Sequence, residues 1–388
     1  MSQLLENTVS HSTLPPSKAS WLVFLGQFFR ENRMASLGGI IFLLFFVIAI
    51  SGLLLTSGND PVMDPAQIRL QEKLRPPLSK ANLDVLHLKQ VPILETYLFG
   101  TDNLGRDVLA RMLQGAWVSL TVGFVAVGIA VGIGIIMGGI AGYFGKTTLA
   151  GSHLMACFLL MAIGTCLYFQ IFFWVIIVLC LIIPILTIPY VSSRKTRSLQ
   201  SHNQGWLYVF ANWGISIDTL IMRFVDIMLC FPSFFLILTV IALLPASIYN
   251  IMIVIGLTSW MGTARFVRAE FLSLREQEFV TAARALGLGH FRIIVHHMLP
   301  NAIAPVLVSA TIGIATAILT EAGLSFLGFG VPPPQATWGN ILSEGKRFLF
   351  DAPWLTLIPG TAILIVVLAF NLFGEGLRDA LNPQLRNQ

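Results

Sequence analysis

Seven long apolar runs divide the chain, at residues 37–55, 112–143, 154–190, 219–244, 248–261, 301–323 and 354–373, and most charged side chains fall between them. About twenty apolar residues in a helix match a hydrocarbon layer of about 30 Å. The runs do not alternate with period two. Backbone polar groups at bilayer depth need internal partners, so the pattern predicts α-helices and not a barrel. The run 154–190 is 37 residues long, and as one helix it would extend about 55 Å. It is therefore read as two antiparallel spans with a turn near 164–170, which brings the expected count to eight. Pro232 is expected to kink the run that contains it.

Charge then orients the spans. Lys18, Arg30 and Arg33 precede the first run, which lacks a small-residue cleavage site, so it reads as an uncleaved anchor with its amino terminus inside. Residues 57–111 hold five prolines and a balance of seven acidic and seven basic residues, which suits the outer face. Lys146 precedes the 154–190 run and Arg194, Lys195 and Arg197 follow it, so both of its ends read as cytoplasmic. The segment 262–300 carries five arginines against three glutamates and is placed inside by the same rule.

Within that segment, TAARALGLGHFRIIVHHMLP (281–300) has helical periodicity on both sides of a glycine pair. Phe279, Ala283 and Leu286 fall at i, i+4 and i+7, and Phe291, Ile294, Val295 and Met298 at i, i+3, i+4 and i+7. Gly287 and Gly289 supply a bend, and Pro300 suits the first turn of the next helix. Two readings follow from the residues: a basic amphipathic hairpin on lipid headgroups, or a docking element for a cytoplasmic partner, with Ala282 and Ala283 allowing close approach.

Composition supports the membrane reading, since 55% of residues are hydrophobic and only 11% charged. The net charge of +5 is read as basic cytoplasmic loops, not as a nucleic-acid surface. Cys157, Cys166, Cys180 and Cys230 lack metal or redox spacing. Gly145-Lys146-Thr147 resembles the end of a phosphate loop, but Ile140 stands where GxxxxGK[ST] needs glycine, and the motif follows an apolar span. No nucleotide site, metal site or catalytic residue is expected in this chain. His290, His296 and His297 read as interfacial or docking residues.

Residues 281–300 resemble the "EAA" loop of ABC-importer permeases, with Ala282, Ala283, Gly287, Leu299 and Pro300 at the pattern positions. Thr281 stands where the pattern has glutamate and His297 where it has isoleucine. FGTDNLGRDVLARMLQGAWVSL (99–120), IMRFVDIMLCFPSF (221–234), EAGLSFLGFGVPPPQATWGNILSEG (321–345), APWLTLIPG (352–360) and AFNLFGEGLRDALNP (369–383) are similar to the second permease subunit of the dipeptide, oligopeptide and nickel importers. The resemblance covers 30–146 and 216–385. Residues 147–215 depart from it and read as an inserted hydrophobic hairpin.

The resemblance implies an all-α, polytopic transmembrane helical bundle: a six-span permease core plus the inserted hairpin. The expected divisions are a cytoplasmic segment 1–35, the first two spans with a long outer loop (36–146), the insertion (147–215), and the remaining core (216–388) with a cytoplasmic coupling loop at 263–300. It also implies a second homologous permease, two cytoplasmic ATPase subunits that bind the ATP, an extracytoplasmic solute-binding protein, and a bacterial inner-membrane location. Peptides are the favoured solute; nickel chelates, or a secondary transporter driven by an ion gradient, are the alternatives. Thr281, Ala282, Ala283, Gly287, Leu299 and Pro300 become coupling residues. Arg223 and Asp226, at i, i+3, are expected to form a local ion pair or a gate. Glu321 is expected to line a cavity or to hold the following loop, and Asp102, Arg106 and Asp107 to order the outer loop or meet the binding protein.

Overall fold

The computed structural model describes residues 33–58, 61–83, 91–92, 95–145, 148–150 and 214–381. The helices are α1 (Arg33–Thr56), α2 (Val108–Tyr143), α3 (Ile217–Leu229), α4 (Ser233–Leu243), α5 (Ile248–Leu274), α6 (Glu278–Ala285), α7 (His290–Ile293), α8 (Leu299–Phe326), α9 (Trp338–Gly345) and α10 (Trp354–Leu381). Strands β1 (Ser79–Lys80) and β2 (Thr96–Tyr97) pair in the segment before α2. Strands β3 (Thr148–Ala150) and β4 (Gly214–Ser216) pair antiparallel, Thr148 opposite Ser216.

Among the described residues five helical stretches are long and apolar enough to cross a membrane, and the bent pair α3–α4 makes a sixth, broken span. The chain is an all-α, multi-pass membrane protein with the expected six-span core. The expected hairpin at 154–190 lies outside the described residues. The β3–β4 ladder brings the two flanks of that segment together.

The expected spans differ from the helices in two ways. The run 219–244 is not one kinked helix: α3 and α4 meet at 81° across Cys230–Pro232. Pro232 has no N–H to continue the ladder of α3, and it becomes the N-cap of α4 instead, its carbonyl accepting from Leu236 N. The span expected at 248–261 runs on to Leu274, because Arg265 and Arg268 stay helical while pairing with acids of α3. The expected coupling loop at 263–300 is thus helical through its first third.

Glycines hold α2 against α5. Side chains at Gly134, Gly138 and Gly142, spaced one turn apart, would collide with Thr263, Ala264 and Phe271. Lipid gives no hydrophobic drive for helix association, so this closeness supplies packing that larger residues would prevent. Gly128 and Gly132 of the same helix face open space instead. On the other side of α2, Phe42 and Phe46 of α1, Phe124 of α2 and Phe370 of α10 interlock, with Phe42 and Phe370 edge to face at 5.1 Å.

Candidate functional site

The bundle carries a helical hairpin at one end and a folded loop cluster at the other. At the hairpin end, α6 closes at Gly287, whose φ of +75° is the left-handed conformation glycine accepts without cost. Gly287 N donates to Arg284 O at 2.9 Å and Leu288 N to Ala283 O at 3.2 Å, the bonding of a Schellman cap. The chain turns through Gly289 into α7, which passes by a π-helical turn (Ile294–Met298) into α8.

One face of the hairpin belongs to the core. Val280, Ala283, Ile293 and Met298 are buried with Val267 and Phe271 of α5, Tyr143 of α2 and Val306 of α8. This differs from the face read from the sequence: Leu286 and Phe291 are 81% and 78% exposed. The π turn is the reason on the second arm, because its wider spacing aligns Ile293 with Met298, five residues on, and turns Phe291 outward. On the first arm the β-branched Val280 and small Ala283 fit against Phe271, leaving the larger Leu286 outside.

Polar contacts fix the hairpin to the bundle. Tyr143, the last residue of α2, has its hydroxyl 2.7 Å from His290 Nδ1, and the Arg284 guanidinium lies 5.2 Å from the centre of the Tyr143 ring. Arg275 Nη1 donates to Gly142 O at 3.3 Å. Of the expected coupling residues, Thr281 and Ala282 are exposed on the outer face, Ala283 is buried on the inner one, Gly287 makes the bend, and Leu299 and Pro300 open α8. The Thr281 hydroxyl, where the EAA pattern has a carboxylate, donates to Gln277 O at 3.1 Å.

At the opposite end, Asp102 and Glu344 hold Arg106 and Arg111 in a closed network. Arg106 donates to Asp102 at 2.7 Å and Glu344 at 2.6 Å, and Arg111 to the same two at 2.7 and 2.6 Å. Asp102 also accepts the backbone N–H groups of Leu104 and Arg106. Asp107 caps α2 by accepting from Leu109 N at 2.8 Å. Burial pushes its carboxyl above the usual carboxylate range, against the pull of that backbone N–H. Both Asp102 and Asp107 are buried, so their carboxylates order the loop.

Arg223 and Asp226 do not form the expected local pair. Asp226 bonds across to Arg265 of α5 at 2.5 Å, and Arg223 is exposed. One helical turn separates i from i+3, yet the partner helix offers a guanidinium that reaches the carboxylate directly. Glu321 does not line an open surface. It is buried where α8 meets α2 and α9, accepts from Ser325 Oγ at 2.7 Å, and has the hydroxyls of Thr337 and Ser119 beside it. Sequence reading missed Tyr143, Arg265, Arg111 and Glu344. Only Arg111 lies in a motif-bearing stretch with its partner Asp102; Glu344 is 233 residues further along, a separation no local pattern bridges.

Comparison with known proteins gives consistent matches. The family described as "Binding-protein-dependent transport system inner membrane component" matches residues 205–387. The dipeptide transport system permease protein of Alkalihalophilus pseudofirmus is 36% identical over 358 residues, covering 92% of this chain and 88% of that protein. The oligopeptide transport system permease protein of Bacillus subtilis is 30% identical over 360 residues, with 92% and 88% covered. Among solved structures, the inward-facing MetNI methionine ABC transporter matches at a TM-score of 0.40 and 17% identity, over 71% of this chain and 98% of that one.

Proposed function

Because the chain belongs to the family of binding-protein-dependent transport system inner membrane components, we propose that it forms half of the path of an ATP-driven peptide importer in a bacterial inner membrane. A second, homologous permease supplies the other half. Two cytoplasmic ATPase subunits bind the ATP and seat the α6–α7 hairpin, and an extracytoplasmic binding protein delivers the solute. The amino terminus and the hairpin lie on the cytoplasmic side, and this chain has no catalytic site or cofactor of its own.

The observation that carries this reading is the two-faced hairpin. Its inner face is continuous with α2, α5 and α8, while Leu286 and Phe291 project from its tip. A force applied at the tip therefore moves the spans as one body, which a flexible loop would absorb. Closure of the ATPases on ATP would favour one arrangement of the spans by differential contact with the hairpin. The peptide solute rests on the relatives, whose names specify dipeptides and oligopeptides.

The test is reconstitution with the partner subunits in liposomes. Peptide uptake should require ATP and persist without an ion gradient; uptake driven by a gradient alone would identify a secondary transporter. Gly287→Leu should insert and assemble normally but hydrolyse ATP with little uptake, because a side chain there meets no neighbour yet forces the bend out of its left-handed conformation.

A further inference from the structure

Two ion pairs join α3 to α5, and they differ in kind. Arg268 grips Asp218 with two nitrogens, Nη2 to Oδ2 at 2.7 Å, and both side chains are largely covered. Arg265 touches Asp226 through one nitrogen at 2.5 Å, with side chains 51% and 47% exposed. The first pair and Val225, packed among Trp260, Met261 and Ala264, hold the two helices together. The second adds little to docking, since an exposed single contact is weak and exchanges its partners readily.

Its surroundings point to protein or water and not to lipid. Asp226 sits one turn before the break at Cys230–Pro232, in the broken span of α3 and α4. Irregular backbone at membrane depth is tolerated only against protein or a water-filled cavity, and charged side chains within spans follow the same rule. Arg223 and Cys230, at i−3 and i+4 from Asp226, share its face of α3, and Arg223, Cys230, Phe231 and Pro232 are exposed. Broken helices at mid-membrane recur where transporters bind their solutes.

We propose that Arg265 and Asp226 form a solute-contacting gate in the wall of the path, the guanidinium receiving the carboxylate end of a peptide and the carboxylate its ammonium end as the pair separates. Arg223, exposed one turn before Asp226 on α3, adds a second positive group on that helix face. The two members stand on different helices, so motion of α5 with the hairpin opens the pair, while the Asp218–Arg268 contact stays as the pivot. This inference rests on the peptide-importer reading above.

The test uses the complete complex in liposomes with trialanine as the solute. Asp226→Asn combined with Arg265→Gln keeps a hydrogen-bonded pair and removes both charges. Trialanine uptake should fall at least tenfold, with ATP hydrolysis retained, and Arg265→Lys should recover most of it. In the unaltered chain, Cys230 should react with a charged, water-borne thiosulfonate in the nucleotide-free complex, as read by mass spectrometry of the peptide that carries it, and trialanine should slow the reaction. Neutral-pair uptake within twofold of the original chain, or a Cys230 that stays unmodified, would overturn the gate. Absence of ATP-driven uptake by the unaltered complex would instead remove the functional reading itself.

Discussion

The hydroxyl of Tyr143 lies 2.7 Å from His290 Nδ1, and this contact joins the end of α2 to the start of α7 across 147 residues of sequence. It is a side-chain link between the second span and the α6–α7 hairpin, reinforced by Phe144, whose ring lies 5.7 Å from the imidazole. Tyr143→Phe keeps the ring that Arg284 covers and deletes only the hydroxyl. Fewer peptides should then enter per ATP hydrolysed, by a factor of about three to ten if the contact is worth about 1 kcal/mol. Parallel measurement of uptake and hydrolysis in liposomes checks this, and an unchanged ratio would show that apolar packing alone carries the coupling.

Gly138 offers a test of the α2–α5 contact. A side chain at this position would overlap the carbonyl oxygen of Ala264, which cannot move without breaking α5. Gly138→Leu should lower stability by about 1–3 kcal/mol or prevent assembly. Gly132→Leu, on the same helix but facing open space, should leave the melting temperature of the detergent-purified complex unchanged in comparison.

Removing Arg111 should be costly. Its side chain is 3% exposed and that of Asp102 only 1%, so Arg111→Ala leaves a buried carboxylate with one cation fewer, a loss of about 3–5 kcal/mol. Glu344→Gln should cost much less, because that carboxylate is one-third exposed and water can replace part of its contact. Thermal unfolding of the two variants gives the ranking; equal losses would mean that the network is held by Glu344 and not by the buried pair.

Asp107 carries a pH signature. Its carboxyl is held above the usual range by burial, so the ionised form opposes folding. That opposition is absent below the unfolded-state value and grows as pH rises through the folded one. Asp107→Asn retains the cap and drops the charge, and should melt above the original chain at neutral pH, the gap closing on acidification through the carboxylate range. Asp107→Ala should lose about 1 kcal/mol with the cap. A gap that widens on acidification would contradict the sign of the shift.

The apolar runs determine that this chain crosses a membrane and roughly where, because about twenty hydrophobic residues can be solvated only by lipid or by each other. The glycine pair and the periodicity beside it likewise determine a bent helical hairpin at 278–298, and the motif-bearing stretches determine the family. Which face of that hairpin turns inward was settled by packing: the π turn shifts the register of the second arm, and Phe271 leaves room for Val280 and Ala283 but not Leu286. Arg265 as the partner of Asp226, Glu344 as the second acid on Arg111 and His290 as the partner of Tyr143 were also decided only in three dimensions. Each lies on another helix tens to hundreds of residues away, and a charged or polar side chain takes the partner that the fold brings within reach, whatever stands one turn along its own helix.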